Sequence, residues 1–134
     1  MTGAPQTIRI RRLGPGDEAV VERLAEQDPP RTELLRDPRT VFVAAFDGDD
    51  PVGFAFGYEL LRRHGNPTEF FVYELGVDDA YRRLGIATRL IEELLRDQDD
   101  AFVLTDADND AANATYRKLF ANRFEVVMWD HSAH

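Results

Sequence analysis

Tyr73-Glu74-Leu75-Gly76-Val77, followed four residues later by Arg82-Arg83-Leu84-Gly85-Ile86-Ala87-Thr88, decides how this chain folds. The first run reads as a buried strand. The second reads as a turn opening into a helix, with glycine at the opening and two arginines on its rim. Backbone N–H groups at a helix N-terminus have no intrahelical acceptor, and the helix dipole favours negative charge there. Gly85 lets the main chain approach a ligand where a Cβ would clash. A cradle for a pyrophosphate is therefore expected, directly after a strand carrying Glu74.

The surrounding chain supplies the rest of an alternating architecture. Thr7 to Arg11 alternates and predicts a first strand. Pro15-Gly16-Asp17 predicts a helix start with Asp17 as N-cap and Val20, Val21 and Leu24 on one face. Asp28-Pro29-Pro30 stops that helix, and Thr32 to Arg36 can form a short helical piece. Val41 to Phe46 and Pro51 to Leu60 predict two strands joined by a turn at Asp47-Gly48-Asp49-Asp50. Glu69 to Val77 is the next strand. From Gly85 to Arg96, Ile86, Ala87, Leu90, Ile91, Leu94 and Leu95 make one apolar helical face. Ala101 to Thr105 is a short buried strand, Asp110 to Phe120 a helix, and Phe124 to Trp129 a last strand. The tail 131–134 is expected to fray.

This order predicts an α/β fold, in the α+β sense, with a mixed sheet and helices on both faces. The unit from Tyr73 to Thr105 predicts a right-handed crossover between parallel strands. Ligands bind outside the carboxyl ends of such strands. If the parallel pair diverges there, an extended ligand can add its amides to the backbone of Leu75 and Val77.

Bulk properties narrow the function. The 134 residues and 43% hydrophobic content fit one globular domain, residues 1–134. No apolar run is long enough to span a bilayer, so no membrane partner is expected. Met1-Thr2-Gly3-Ala4-Pro5 lacks a basic start and an apolar core, so no secretion signal is expected and a cytoplasmic location is the default. There is no cysteine, which excludes thiol chemistry and thiolate metal sites. A net charge of -9 disfavours nucleic acid and suits a cationic small molecule or peptide, although acidity also serves solubility.

Arg82-Arg83-Leu84-Gly85-Ile86-Ala87 resembles the Q/R-x-x-G-x-G/A signature of the GNAT (Gcn5-related) N-acetyltransferases, with the strand before it and the amphipathic helix after it in place. Asn109-x-x-Ala112-x-x-x-Tyr116-x-Lys118 resembles that family's second motif. Within the superfamily the chain is most similar to the type I aminoglycoside 3-N-acetyltransferases, in Phe42 to Asp47, Val52-Gly53, Tyr73 to Val77, Arg82 to Thr88 and Tyr116 to Leu119. It departs in having Phe120-Ala121 where Gly-Phe is usual, a short segment before Val41, and one strand after Tyr116 where many relatives have a hairpin. The resemblance implies a mostly antiparallel sheet with a central splayed parallel pair. It also implies acetyl transfer from acetyl-CoA to a primary amine.

The resemblance assigns Leu75, Gly76, Val77, Arg82, Arg83, Leu84, Gly85, Ile86, Ala87, Thr88 and Asn109 to CoA. The arginines have a second reading, as turn charges balancing Asp78 and Asp79, and Asn109 as a helix N-cap. Glu74 is the candidate base, or else a charge at a strand bend facing water. Tyr116 is the candidate acid for the departing thiolate, or else an aromatic packed on the sheet. Ser132 is the sole serine and lies in the tail, so a covalent acyl-enzyme is not expected.

Asp106-Ala107-Asp108-Asn109-Asp110 begins like a calcium loop. Ala111 stands where glycine is needed and Arg117 where a bidentate Glu is needed, so no metal is expected. Asp106, Asp108 and Asp110, with Glu74, could instead hold a cationic acceptor, or serve as caps and solvated loop. The acceptor options are an aminoglycoside 3-amino group, a peptide or protein amine, or a polyamine. A CoA-binding module without turnover is the option from another class. A homodimer is plausible because the C-terminal half leaves a sheet edge to cover.

Overall fold

A computed structural model describes residues 7–25 and 29–132. The N-terminal reading at Met1 to Pro5, the helix stop at Asp28 and the expectation of fraying at Ala133-His134 lie outside the described residues. One sheet of five strands runs in the order β1 (Ile8–Leu13), β2 (Thr40–Asp47), β3 (Asp50–Leu61), β4 (Thr68–Val77), β5 (Ala101–Val103). Neighbours are antiparallel except for the parallel pair β4 and β5. Helix α1 (Glu18–Leu24) precedes β2, α2 (Ile86–Leu95) joins β4 to β5, and α3 (Asp110–Leu119) follows β5.

Strand alternation sends successive side chains to opposite faces. Val43, Ala55, Phe70 and Val72 face α2, whose Ile86, Leu90, Ile91 and Leu94 are buried on one stripe. Tyr116 and Leu119 of α3 pack on the same side. Phe42 and Phe56 face the other way, onto Val21 of α1 and Leu35 of a 3-10 turn at Glu33–Arg36. With both faces covered, β2 is buried from Phe42 through Phe46, which is why its sequence lacks a polar alternation. Asp17 does precede α1, but it caps no helical N–H. Its carboxylate instead accepts from Gly14 N (2.9 Å) and pairs with Arg11 (3.2 Å), because the Pro15-Gly16 turn folds it back toward β1.

The parallel pair is short. Phe70, Phe71 and Val72 pair with Ala101, Phe102 and Val103, and from Tyr73 onward β4 pairs only with β3. Tyr73 is also the extra residue of a bulge: Phe56 faces Glu74 while Gly57 faces Val72. The expected last strand at Phe124 to Trp129 is not formed. Residues 121–132 carry neither helix nor strand, and the chain leaves α3 extended at Phe120. Strand propensity alone does not stabilise a strand without a partner.

Gly57 is required at the bulge. A Cβ there would stand 2.2 Å from the Phe71 carbonyl and 2.6 Å from the Phe70 ring. Gly57→Ala is expected to lower unfolding stability by about 3 kcal/mol, at the high end for overpacking, because one of the two obstacles is backbone. Urea unfolding with a midpoint within error of the parent chain would contradict this.

Candidate active site

Where β4 runs on alone, a cleft of about 720 Å³ opens on the α1 side of the sheet. Its floor is aromatic. Phe42 and Phe56 stack with parallel rings 5.3 Å apart, and Phe54 stacks on Phe42 at 5.7 Å. Tyr58 stands edge-on to Phe56 and to Tyr73. Leu24, Ala25, Pro29, Pro30, Arg31 and Leu34 close the side opposite β4. The β4 wall is Glu74, Leu75, Gly76 and Val77, continuing to Asp78 and Arg82. At Gly76 a Cβ would come within 2.8 Å of the Phe54 ring, which would have to shift to admit it.

The bulge explains why Glu74 looks into this cleft. With Tyr73 as the extra residue, the Tyr73 ring lies on Phe56 and Tyr58 and the next residue, Glu74, also lines the cleft. Leu75 and Val77 then face the α2 core. Burial, followed by the nearby Tyr73, Asp37 and Glu74, pushes the Tyr58 phenol above its ordinary value. The cleft thus combines apolar rings with Glu74, Asp78 and a neutral phenol. That lining suits an amine carried as a cation, through carboxylate contact and ring faces.

At the α2 end the backbone is unusual. Arg83 has φ 64, and Gly85 has φ 79. Arg83 is the sole non-glycine with positive φ among the described residues. A left-handed non-glycine residue is strained by about 1–2 kcal/mol, and such residues concentrate where ligands are held. The first helical bond runs from Arg89 N to the Gly85 carbonyl (3.1 Å). The N–H groups of Ile86, Ala87 and Thr88 precede it and lack an acceptor four residues back in the helix. Nothing lies within 4 Å of the position a Gly85 Cβ would take, so the space over this turn is open. The cradle fits a diphosphate on these grounds: free donors, the positive end of a ten-residue helix, open space and two exposed arginines.

The sequence-predicted residues divide in position. Glu74, Leu75, Gly76, Val77 and Arg82 line the cleft. Arg83, Gly85, Ala87 and Thr88 sit at the start of α2, while the side chains of Leu84 and Ile86 are sunk in the core beneath it. Arg82 also pairs with Asp79 at 3.2 Å, as the charge-balancing reading requires. Tyr116 is half-buried under α2, edge-on to Phe120, and is not part of the cleft wall. Burial pushes its phenol above the ordinary tyrosine value. Asn109 accepts from Ala112 N (3.1 Å) and so caps α3. Asp106, Asp108 and Asp110 are exposed around that cap and do not line the cleft. Among the described residues no three acidic or histidine side chains converge as metal ligands, and no helix is long and apolar enough to cross a membrane.

Sequence reasoning missed Arg31, Leu34 and the Tyr73 bulge as cleft-forming features. The floor itself has a signal in the sequence: Phe54, Phe56 and Tyr58 alternate along one strand, a pattern that reads either as core or as one face of the acceptor slot.

Three comparisons bear on this geometry. Over 87 residues the chain is 40% identical to the N-alpha-acetyltransferase RimI of Mycobacterium tuberculosis (strain ATCC 25618 / H37Rv), covering 63% of this chain and 54% of the relative, so this chain spans about half the length of that relative. It is 30% identical over 138 residues to the L-2,4-diaminobutyric acid acetyltransferase of Methylotuvimicrobium alcaliphilum (strain DSM 19304 / NCIMB 14124 / VKM B-2133 / 20Z), covering 87% of this chain and 76% of the relative. The crystal structure of an aminoglycoside acetyltransferase from an uncultured soil metagenomic sample superposes with a TM-score of 0.81 at 28% identity, covering 96% of this chain and 99% of that one. The model of the acetyltransferase (GNAT) family matches residues 10–121, and with a parting parallel pair beside a glycine-opened helix, the chain belongs to the GNAT acetyltransferases.

Proposed function

We propose that residues 1–134 form one domain that transfers the acetyl group of acetyl-CoA to a primary amine of a small cationic acceptor, an aminoglycoside 3-amino group, by direct attack with both substrates bound. The observation that carries this reading is the placement of Glu74: on the freed stretch of β4, inside an aromatic cleft continuous with Arg82 at the edge of the cradle. Acetyl-CoA supplies the thioester. The N–H groups at Ile86, Ala87 and Thr88, with Arg82 and Arg83, would hold its diphosphate. The unpaired edge of β4 at Leu75 to Val77 would take its amide arm, with Asn109 at the α3 start as a further donor.

An amine must be neutral to attack. Glu74 would accept that proton directly or through water, for which general-base help contributes about 10²–10⁴-fold. Tyr116, kept protonated by burial, would give a proton to the departing thiolate. Cysteine is absent and Ser132 is the sole serine, which supports transfer without an acyl-enzyme. The cleft's rings and carboxylates, the net charge of -9, and the aminoglycoside acetyltransferase of the same fold support a polycationic acceptor. A second reading, a peptide N-terminus, is favoured by the 40% identity to an N-alpha-acetyltransferase.

Thiol release from acetyl-CoA separates these, and the chain adds no thiol background of its own. Gentamicin, spermine, L-2,4-diaminobutyrate and a peptide with a free N-terminus form the acceptor panel. Release with gentamicin, with a mass shift of one acetyl on the 3-amino group, is expected. Release with the peptide alone moves the acceptor to protein, and acetyl-CoA binding with no release on any amine leaves a binding module.

Glu74→Gln is expected to lower kcat by about 10²-fold or more with acetyl-CoA affinity nearly unchanged. Tyr116→Phe is expected to slow turnover more than it weakens acetyl-CoA binding. Because burial raises the Tyr116 pKa, wild-type kcat should hold up to and beyond about pH 10, the ordinary tyrosine value, before its alkaline fall. The same raised folded-state pKa contributes stability below that value, lost as pH rises through the folded one. Equal turnover by the Phe variant removes Tyr116 from the mechanism. Gly85→Val should weaken acetyl-CoA binding at least tenfold while lowering stability by only about 1–2 kcal/mol, since the open space leaves strain as the main cost. Unchanged affinity there would refute the cradle.

A further inference from the structure

The turn between β4 and α2 is tied to the rest of the molecule at both ends and in its middle. Asp78 N donates to the Val52 carbonyl of β3 (2.9 Å), the Tyr81 hydroxyl donates to the Asp47 carboxylate at the end of β2, and Leu84 packs on the core. The two arginines of the cradle, Arg82 and Arg83, stand exposed between Tyr81 and Leu84. Asp47 is itself on a held platform. It pairs with Asp50 across the β2–β3 hairpin, and that hairpin is fastened by Arg9 to the Gly48 carbonyl (3.0 Å) and by Arg23 to Asp50 (2.8 Å). The Tyr81 ring is half-buried against the core, and its bond to Asp47 pushes the phenol above the ordinary tyrosine value, so the hydroxyl remains the donor through the neutral range. Neither Asp47 nor Tyr81 lines the cleft.

We propose that Asp47 and Tyr81 are positioning residues for the diphosphate of CoA: their hydrogen bond fixes the turn that carries Arg82 and Arg83 and sets the approach to the α2 N-terminus. The assignment rests on the reading of residues 82–88 as a diphosphate cradle. Arg83 is the point of leverage. It is held left-handed, a conformation that persists only where its surroundings enforce it. With Tyr81 and Leu84 both fixed, the short span between them has few arrangements left, and the observed one turns Arg83 over. Release the phenol, and the nearest upstream tie is Asp78 on Val52. The chain can then relax Arg83, swinging both guanidinium groups and the Gly85 turn away from the space over the helix start. A relaxed turn has to be ordered again when the ligand binds, and that cost comes off the affinity. A hydrogen bond from the β2–β3 hairpin thereby prepares an anion site to which neither of its partners contributes a donor.

Calorimetric titration of CoA into the full chain, beside amide hydrogen exchange without ligand, tests this. Tyr81→Phe, which keeps the packed ring, and Asp47→Ala should each weaken CoA binding about tenfold, the order set by the strain of one left-handed residue. Asp47→Asn leaves an oxygen to accept from the phenol and should stay within about threefold of the parent chain. The double variant Asp47→Ala with Tyr81→Phe should lose no more than either single one, since all three remove the same bond. The Tyr81 and Arg82 amides, which donate to the Asp78 and Asp79 carbonyls, should exchange about tenfold faster in Tyr81→Phe, while those of Leu90, Ile91 and Leu94 in α2 keep the parent rate. A parent chain that fails to bind CoA overturns the diphosphate reading and this inference together. A parent that binds, with either single variant within about twofold of it, overturns this inference alone. Losses that add in the double variant, or exchange that quickens throughout α2, mean a general loosening of the fold and overturn it as well. Tyr81→Phe and Asp47→Ala cut the bond from opposite ends, so a variant that fails to fold leaves the other to decide.

Discussion

The parting of β4 from β5 after Val72 is the constraint on which the rest of the site depends. A parallel pair that stayed in register to Val77 would satisfy the β4 backbone internally and present no edge. Two local facts end the pairing. β5 stops at Val103, and the bulge at Tyr73 bends β4 where the partner is lost. The bulge in turn needs Gly57, because the Phe70 ring occupies the volume a side chain there would use and the Phe71 carbonyl sits against it. One glycine on β3 thereby lets Glu74, three residues before the end of the pairing with β3, look onto the aromatic floor. The burial of α2 against β2, β3 and β4 then fixes where the helix starts, and so places the cradle at the end of β4.

Both signs of charge line this cleft, although the whole chain is acidic. Arg82 lines the end nearest the helix N-terminus, with Asp78 beside it and Arg83 just beyond the wall, while Glu74 and Tyr58 lie further along. The strain at Arg83 belongs to the same arrangement. A left-handed arginine is unfavourable by itself, and it persists because Leu84 and Ile86 anchor the next residues in the core. The carboxylates at Asp106 to Asp110 take no part in the cleft wall. Their loop is organised by Asn109 and Asn113, which bind backbone groups at the start of α3.

Much of this was legible in the residues, for identifiable reasons. The boundaries of β2, β3, α2 and α3 follow from punctuation by Asp-Gly, Pro and Gly and from unbroken apolar periods, and they fall within about a residue or two of the expected ones. The mixed sheet with helices on both faces follows from the alternation of the two periods. The bulge was not legible, because nothing in Phe71-Val72-Tyr73-Glu74 marks an extra residue. It exists only in the register against β3. Arg31 and Leu34 were likewise invisible as walls of the cleft, since their position depends on how a 3-10 turn packs on Phe42 and Phe56. Asp17 was misjudged because a competing acceptor role, for Gly14 N and Arg11, lies outside the helix pattern.

The C-terminal segment marks the limit of local pattern in another way. Phe124 to Trp129 reads as a strand on composition, and the single chain leaves it unpaired. Both statements hold, because a strand is a relation between two backbones and composition specifies only one of them. The inner strands are covered from within over most of their length: α2 and α3 on one side, α1 and the turn at Glu33–Arg36 on the other. Among the described residues, the β5 edge, this segment and the exposed Leu60, Leu61 and Tyr73 lie outside that enclosure. Phe42 to Phe46 are closed on both faces while Phe124 to Trp129 are exposed, so what decides burial is a neighbouring element and not hydropathy alone.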